Sequence, residues 1–276
     1  GTLKNNYQID TSVVGKKKVR VVYQDKHGFY KVTNFEIEIK DKVAPTILQE
    51  GNFVVNEGYD KNLEDEILCA DDYDDNVKCS IEGSYNLEVP GIYPLTISAV
   101  DSSNNKTEKK FNLEVKEHVI TNEEDDDNDS VELSFVDYND IYRKYKSSNT
   151  MIGLDISKWQ KEVDFKKLKS MGIEFVMIKL GGQTKINGDM IVDPYFKSNI
   201  EKAIKEKIKV GIYVYSYAKN KQQAIKQADF VLKNIEKYNV DMPIAFDWEN
   251  WDEYNKFNMS FNSLNNVAKA FMDKIG

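Results

Sequence analysis

Histidine and cysteine are scarce in this 276-residue sequence: there are two of each, His27, His118, Cys69 and Cys79, and all four precede residue 120. The second half therefore has no imidazole base, no thiol nucleophile and no His or Cys metal ligand, so chemistry there falls to carboxylates, Lys, Tyr and Ser. No apolar run approaches the roughly 20 residues that cross a bilayer, and no apolar leader opens the sequence. A secreted form is expected to have lost its leader, or to be represented here by an excised piece. Basic clusters are missing too. Lys and Arg total 38 against 46 Asp and Glu, a net charge of -8, and the scattered cations argue against nucleic acid as a partner. The 41% hydrophobic content is enough for real cores, and the length leads us to expect about two domains.

What is present begins with an internal repeat. Residues 15–39 (GKKKVRVVYQDKHGFYKVTNFEIEI) match residues 91–115 (GIYPLTISAVDSSNNKTEKKFNLEV), pairing Gly15 with Gly91, Asp25 with Asp101, Phe35 with Phe111 and Glu38 with Glu114. Each copy reads as two strands about a polar turn, because Val19, Val21 and Tyr23 alternate, as do Leu95, Ile97 and Ala99, and then Phe35, Ile37, Ile39 and Phe111, Leu113, Val115. Repeating β modules of this size suggest a sandwich. The second module is complete if it starts near Asp41, where DKVAPTI marks a boundary. That leaves residues 1–40 as the back part of another module and 41–117 as a whole one. The D-x-x-A-P-x-I entry and the G-x-Y-x-L-x-I-x-A-x-D strand resemble the immunoglobulin-like repeats of bacterial surface proteins, a resemblance that speaks to fold and little to ligand.

Between the segments that hold Cys69 and Cys79 lies an acidic loop, Asp71, Asp72, Asp74 and Asp75. Hard cations take several carboxylate oxygens, so calcium is one reading; the spacing fits no EF-hand, and acid-rich turns are usually only solvated. The cysteines either bridge across the loop in an oxidising compartment or stay as buried thiols. Residues 118–149 read as an acidic linker, because the run Glu123-Glu124-Asp125-Asp126-Asp127 repels itself and has little to bury. Its later part, SFVDYNDIYRKY (134–145), is aromatic enough to pack on the next domain.

From residue 150 the pattern alternates strand and helix. We expect strands at 152–156, 175–180, 210–215 and 243–248. Helices are expected at 164–171, capped by Asp164 and stopped by Gly172, and along Phe196, Ile200, Ile204 and Ile208 behind an Asp193 cap and Pro194. Two more follow: 221–236 with Ile225, Ala228, Leu232 and Ile235 buried, and one through Leu264, Val267, Phe271 and Ile275. Alternating units of this kind imply a parallel sheet with active residues at the carboxyl ends of the strands. Polar residues fall there: Asp155 and Ser157, Lys179, then Tyr213, Tyr215 and Tyr217, and finally Asp247 and Glu249 in the run PIAFDWEN (243–250). As strand residues i and i+2, Asp247 and Glu249 would share one face about 6 to 7 Å apart. Such a pair can hydrolyse a glycosidic bond, one carboxyl protonating the leaving oxygen while other negative charge stabilises an oxocarbenium-like transition state. The tyrosines are equally readable as lining of the core, and Lys179 as a partner of an acid.

GLDISKWQ (153–160), DPYFKSNIEKAIKEKIKVGIYVYSYA (193–218) and PIAFDWEN together resemble glycoside hydrolase family 25, the lysozymes that cut bacterial peptidoglycan. The resemblance runs from about residue 150 to 276. It implies a TIM-like β/α barrel, here with only four βα units, and cleavage of the β-1,4 bond between N-acetylmuramic acid and N-acetylglucosamine without metal or cofactor. It also implies catalytic acids at Asp155, Asp247 and Glu249: Glu249 as general acid with a raised pKa, Asp247 ionised and orienting the substrate's own acetamido group, Asp155 binding sugar or tuning the pair. A direct carboxylate nucleophile or an inverting route stays open. Sugar contacts are expected from Lys179, Tyr213, Tyr215, Tyr217 and Trp248. The chain reads LGGQ (180–183) after the second strand, where relatives carry acidic or aromatic residues, which leaves substrate contacts there unassigned. Because the family's barrel has further strands, we expect the chain to be part of a longer enzyme. The expected whole is an extracellular or wall-associated bacterial protein acting on peptidoglycan strands, its β modules meeting a wall polymer or surface partner. The alternative is a surface or adhesion protein that binds wall glycan without cutting it. A polysaccharide deacetylase is disfavoured, because that chemistry usually wants a metal and the second half lacks histidine.

Overall fold

The structure, a computed structural model, describes residues 2–4, 9–11, 13–48, 51–117 and 137–276, with the backbone alone for Asp252 and Glu253. His118 and the acidic run at 123–127 lie outside the described residues. The chain divides into two compact units, one of residues 1–119 and 252–264, the other of 120–251 and 265–276.

The first unit is built almost wholly of strands. β1 (Thr2–Leu3) pairs antiparallel with β2 (Gly15–Gln24), which turns back into β3 (Tyr30–Ile39). The Asp25 carboxylate holds that turn by accepting the N–H groups of His27 (2.8 Å) and Phe29 (3.0 Å). Next come β4 (Thr46–Ile47), β5 (Phe53–Asn56), the short helix α1 (Leu63–Glu66), β6 (Cys69–Ala70), β7 (Cys79–Glu82), β8 (Gly91–Val100) and β9 (Lys106–Lys116). β4 pairs with β6, and the remaining four form a sheet in the order β5-β9-β8-β7. The repeat seen in sequence returns as a repeated register: Gly15 faces Ile39 and Gln24 faces Tyr30, while Gly91 faces Val115 and Val100 faces Lys106, the same pairing displaced by one module. Alternation sends Leu95, Ile97 and Ala99 inward against Phe111, Leu113 and Val115, with Ile47, Val55, Leu63 and Ile67 completing the core. In the first copy only Val19 is buried to that degree; Tyr30, Val32 and Phe35 are exposed.

Cys69 and Cys79 are joined by a disulfide, their Cα atoms 5.9 Å apart. Of the two sequence readings, the bridged one is observed.

The second unit opens with α2 (Tyr138–Tyr145), where Tyr138 donates its hydroxyl proton to the Met171 carbonyl (2.7 Å), so the described part of the aromatic segment packs within this unit; residues 134–136 lie outside the described residues. Then follow β10 (Gly153–Ile156), a 3-10 turn at Lys158–Gln160, α3 (Phe165–Ser170), β11 (Phe175–Gln183), β12 (Met190–Val192), α4 (Phe196–Lys205), β13 (Lys209–Tyr215), α5 (Lys221–Ile235) and β14 (Ile244–Asp247). A second 3-10 turn, Trp251–Lys256, precedes α6 (Phe261–Ile275). β10, β11, β13 and β14 pair in that order and all in parallel; β12 adds antiparallel to the end of β11. β10 and β14 are the two ends of this path, so among the described residues the sheet stays open and no closed barrel forms. The expected TIM-like barrel is thus observed only as an open α/β sheet.

Helix details differ from expectation where polar side chains take other work. Asp164 caps α3 as expected, accepting the Lys167 N–H (3.0 Å), and Gly172 ends it with φ +89°. Asp193 does not cap α4: its carboxylate accepts the N–H groups of Tyr195 (2.9 Å) and Lys158 (2.7 Å), tying α4's approach to the turn after β10. α5 buries Ala224, Gln227, Ala228, Val231 and Ile235, leaving Ile225 exposed, because Gln227 turns inward to hydrogen-bond at the end of β13.

The LGGQ run has a backbone reason. The β11–β13 register slips between Lys179 and Gly181. Gly181 has φ +154°, and a Cβ there would stand 2.0 Å from the Ile191 carbonyl oxygen; one on Gly182 would stand 2.4 Å from the Tyr215 carbonyl oxygen. Only glycine lets three strands close around this point. Gly182→Ala is therefore expected to lower the stability of the second unit by about 1–3 kcal/mol, read from urea unfolding; an unchanged midpoint would contradict the close approach. Reducing the disulfide should cost the first unit about 3 kcal/mol by the chain-entropy estimate, read as a lower melting temperature in reductant for the native protein and no shift for Cys69→Ala/Cys79→Ala.

Candidate active site

Alternation along the parallel strands sorts two kinds of side chain. Val176, Ile178, Leu180, Val210, Ile212 and Val214 are at most 1% exposed and face the core. The intervening residues, Met177, Lys179, Tyr213, Tyr215, Ala245 and Asp247, line the other face and border a cleft of about 600 Å³ with Asp155, Ser157, Trp159, Gln160 and Glu249. Register sets their spacing, since Asp155 lies beside Met177, Lys179 beside Tyr213, and Tyr215 beside Asp247. Three carboxylates from two strands thus reach one cleft near the carboxyl ends of the sheet.

Their chemistry is coupled. Tyr213 donates its hydroxyl proton to Asp155 (3.1 Å); burial and the Asp155 charge hold its phenol well above the usual range, so it stays a neutral donor. Tyr215 is pushed up to about 12 by burial, by the adjacent Tyr217 and by the charges of Glu249 and Asp247. The Lys179 ammonium sits 4.7 Å from the Tyr215 ring centre and 5.9 Å from that of Tyr213, over aromatic faces.

Strand geometry suggested a 6 to 7 Å separation for Asp247 and Glu249 on one face; β14 ends at Asp247, and both carboxyl groups line the same cleft. Burial and the neighbouring Glu249 carboxyl raise the Asp247 carboxyl to about 6, with Lys179 pulling the other way. Asp247 therefore keeps a proton beside Glu249 into the weakly acidic range.

A buried amide network supports the strand ends. Asn250 donates to the Ser216 carbonyl (2.9 Å) and lies 3.1 Å from the Tyr215 hydroxyl through its own oxygen, to which Tyr215 donates. Ser216 donates to Gln227 (2.7 Å), Gln227 donates to Gln183 (2.6 Å), and Gln183 also accepts the Tyr217 N–H (3.0 Å). Polar groups buried this deeply fix their neighbours because breaking one bond leaves the rest unsatisfied. Sequence reasoning missed all four members, whose partners are far apart in the chain. It also missed Trp159 and Gln160, which line the cleft from the turn after β10; the S-K-W-Q run following Asp155 was their only local sign. The expected sugar contacts separate: Lys179, Tyr213 and Tyr215 line the cleft, whereas Tyr217 stacks edge-on against Tyr215 (5.4 Å) and Trp248 against Trp251 (5.0 Å) outside that lining.

Residues 154–276 match the sequence profile of the glycosyl hydrolases family 25, and this part of the chain is a glycoside hydrolase domain of that family. The match covers less than half of the chain. The uncharacterized protein YegX of Escherichia coli K12 is 27% identical over 115 residues, which is 39% of this chain and 42% of that protein. The chain thus spans less than half the length of the curated relatives it matches. Among solved structures, the modular autolysin LytC of Streptococcus pneumoniae, in complex with a synthetic peptidoglycan ligand, aligns at TM-score 0.40 and 20% identity, covering 65% of this chain and 39% of that one. A muramidase from Trichobolus zukalii aligns at TM-score 0.39 and 24% identity, covering 46% and 59%.

The raised Asp247 acidity has a stability consequence whose sign follows from linkage. A folded carboxyl that titrates at about 6 against an ordinary value of 3.8 binds its proton more tightly than in the unfolded chain, so it penalises the folded state increasingly as pH rises from about 4 to about 6 and fully above that. Asp247→Asn is expected to raise the stability of the second unit at pH 7.5 by roughly 1 kcal/mol, after allowance for solvent screening of a half-exposed group, and to leave it unchanged at pH 3.5. Equal effects at both pH values would contradict the shift.

Proposed function

We propose that the second unit is a muramidase that cleaves the β-1,4 bond from N-acetylmuramic acid to N-acetylglucosamine in peptidoglycan. The observation that carries this reading is the convergence of Asp155, Asp247 and Glu249 on one cleft, where burial and the neighbouring Glu249 raise the Asp247 carboxyl to about 6. Glu249 is assigned as the general acid: it delivers the pair's proton to the glycosidic oxygen as the bond to the anomeric carbon breaks. Asp247 is left anionic and accepts the N–H of the substrate's acetamido group, whose carbonyl oxygen attacks the anomeric carbon. Water then opens the cyclic intermediate and returns a proton to Glu249. Asp155, held by Tyr213, adds negative charge near the developing cation, while Lys179, Tyr215 and Trp159 are assigned to bind sugar. No step calls for a metal or cofactor.

The first unit fits an immunoglobulin-like module of a surface protein, and its disulfide supports an extracellular or wall-associated setting, where such bonds persist. Its role is to carry the enzyme at the wall or to meet a wall polymer. One observation favours a second reading, a glycan-binding protein without activity: among the described residues the sheet is open at β14, which ends the strand order.

Incubation with purified peptidoglycan, borohydride reduction and mass spectrometry tests both. Reduced muramic acid ends are expected with the native chain, falling about 10²–10⁴-fold in rate with Glu249→Gln. Retention on wall pellets with no new reducing ends would favour the binding reading. The same assay run across pH should show kcat/KM falling as pH rises through an apparent pKa near 6, as the pair loses its proton; a rate that stays level from pH 5 to 8 would remove the pair from the acid role.

A further inference from the structure

In the first unit, three loops that are distant in sequence bring together three buried carboxylates. Asp41 precedes β4, Asp71 follows β6, Asp101 follows β8, and they are 7%, 1% and 6% exposed. One oxygen from each lies within 4.8 Å of the others. We propose that this cluster is a Ca²⁺ site that fastens the three loops at one end of the module.

A cluster of acids alone would not carry this. The decisive observation is Asp71: its Oδ1 accepts the N–H groups of Tyr73 and Asp74 (both 2.9 Å), while its Oδ2, fully buried, has no hydrogen-bond partner among the described residues. A buried carboxylate oxygen left without a donor is costly, and each such oxygen calls for a ligand. The other two acids keep capacity for one. Asp41 accepts the Val43 N–H (2.9 Å), and Asp101 accepts the backbone and side-chain N–H groups of Asn105 (2.7 and 2.6 Å).

Charge points the same way. The charged groups that act on Asp41 are Asp71, Asp101 and Asp72, all negative. Negative charges gathered out of water need either protons or a cation. An all-oxygen donor set selects a hard cation. The spread within 4.8 Å suits Ca²⁺, whose ligands at 2.3–2.6 Å place opposite oxygens roughly 4.6–5.2 Å apart.

This is not the site the acidic loop suggested by itself. Of Asp71, Asp72, Asp74 and Asp75, only Asp71 enters the cluster; Asp74 accepts from the backbone and hydroxyl of Ser102, and Asp75 from the backbone of Ser260 and the hydroxyl of Ser263. The repeat supplies an internal control, since Asp25, which occupies the place of Asp101 in the first copy, makes the same kind of turn while exposed and outside any such cluster among the described residues.

The test is calorimetric titration of the EDTA-stripped full chain with CaCl₂. One Ca²⁺ per chain is expected, with Kd on the order of 10⁻⁴ M as in extracellular modules, weakened at least about tenfold by Asp71→Asn or Asp101→Asn and unchanged by Asp25→Asn. Hydrogen exchange of the unmodified chain with and without Ca²⁺ locates the site even where a variant fails to fold: protection should grow at residues 41–43, 71–74 and 101–105. No Ca²⁺ uptake up to about 10 mM, protection confined to other segments, or a folded Asp71→Asn that binds as tightly as the native chain would each overturn the proposal. So would a chain stabilised equally by Asp41→Asn and by acid with no response to Ca²⁺, which would mean that the cluster holds a proton.

Discussion

Everything at the candidate site depends on one constraint, the period of two along the parallel strands. Val176, Ile178, Leu180, Val210, Ile212 and Val214 occupy every second position and are almost wholly excluded from water, which pins the register of β11 and β13. A slip of one residue would bury Lys179 and Tyr213 and expose the core. The apolar face therefore orients the polar one: Lys179, Tyr213, Tyr215 and Asp247 reach the cleft because their neighbours cannot leave the core.

Where those strands end, backbone groups must find partners without a ladder, and the amides of Gln183, Gln227 and Asn250 supply them together with Ser216. The same network holds Tyr215 beside the acid pair. Gly181 and Gly182 serve it sterically, since the bulge they permit brings β11, β12 and β13 close enough for Gln183 to reach both Gln227 and the Tyr217 N–H.

Each unit also crowds three carboxylates, and the surroundings differ in what relieves the repulsion. At Asp155, Asp247 and Glu249, relief comes from a proton that Asp247 keeps into the weakly acidic range, the Lys179 ammonium and a phenol that donates to Asp155. At Asp41, Asp71 and Asp101, the donors are backbone amides and Asn105, and one Asp71 oxygen is left over. A partly exposed group with a nearby cation suits proton transfer, whereas a fully buried oxygen without a donor suits a metal ion.

The alternating runs made the repeat legible, because a strand declares its inner face through its own residues; Leu95, Ile97 and Ala99 needed no knowledge of distant contacts. The same holds for the four parallel strands and for Asp155, Asp247 and Glu249, which stand at strand ends that apolar runs mark. Less was legible wherever a side chain's role is set by a partner far along the chain. Asp193 looked like a cap and instead joins the turn after β10, Gln227 rotated α5 away from the face its apolar residues suggested, and LGGQ looked like a gap in substrate contacts when its glycines answer to backbone crowding. Local periodicity and residue chemistry thus determined the strands, the repeat and the identity of the candidate acids. Tertiary structure alone decided the disulfide, the open sheet, the burial that raises the Asp247 carboxyl, and the meeting of Asp41, Asp71 and Asp101, because burial and electrostatic coupling depend on distances between residues that the order of the chain does not contain.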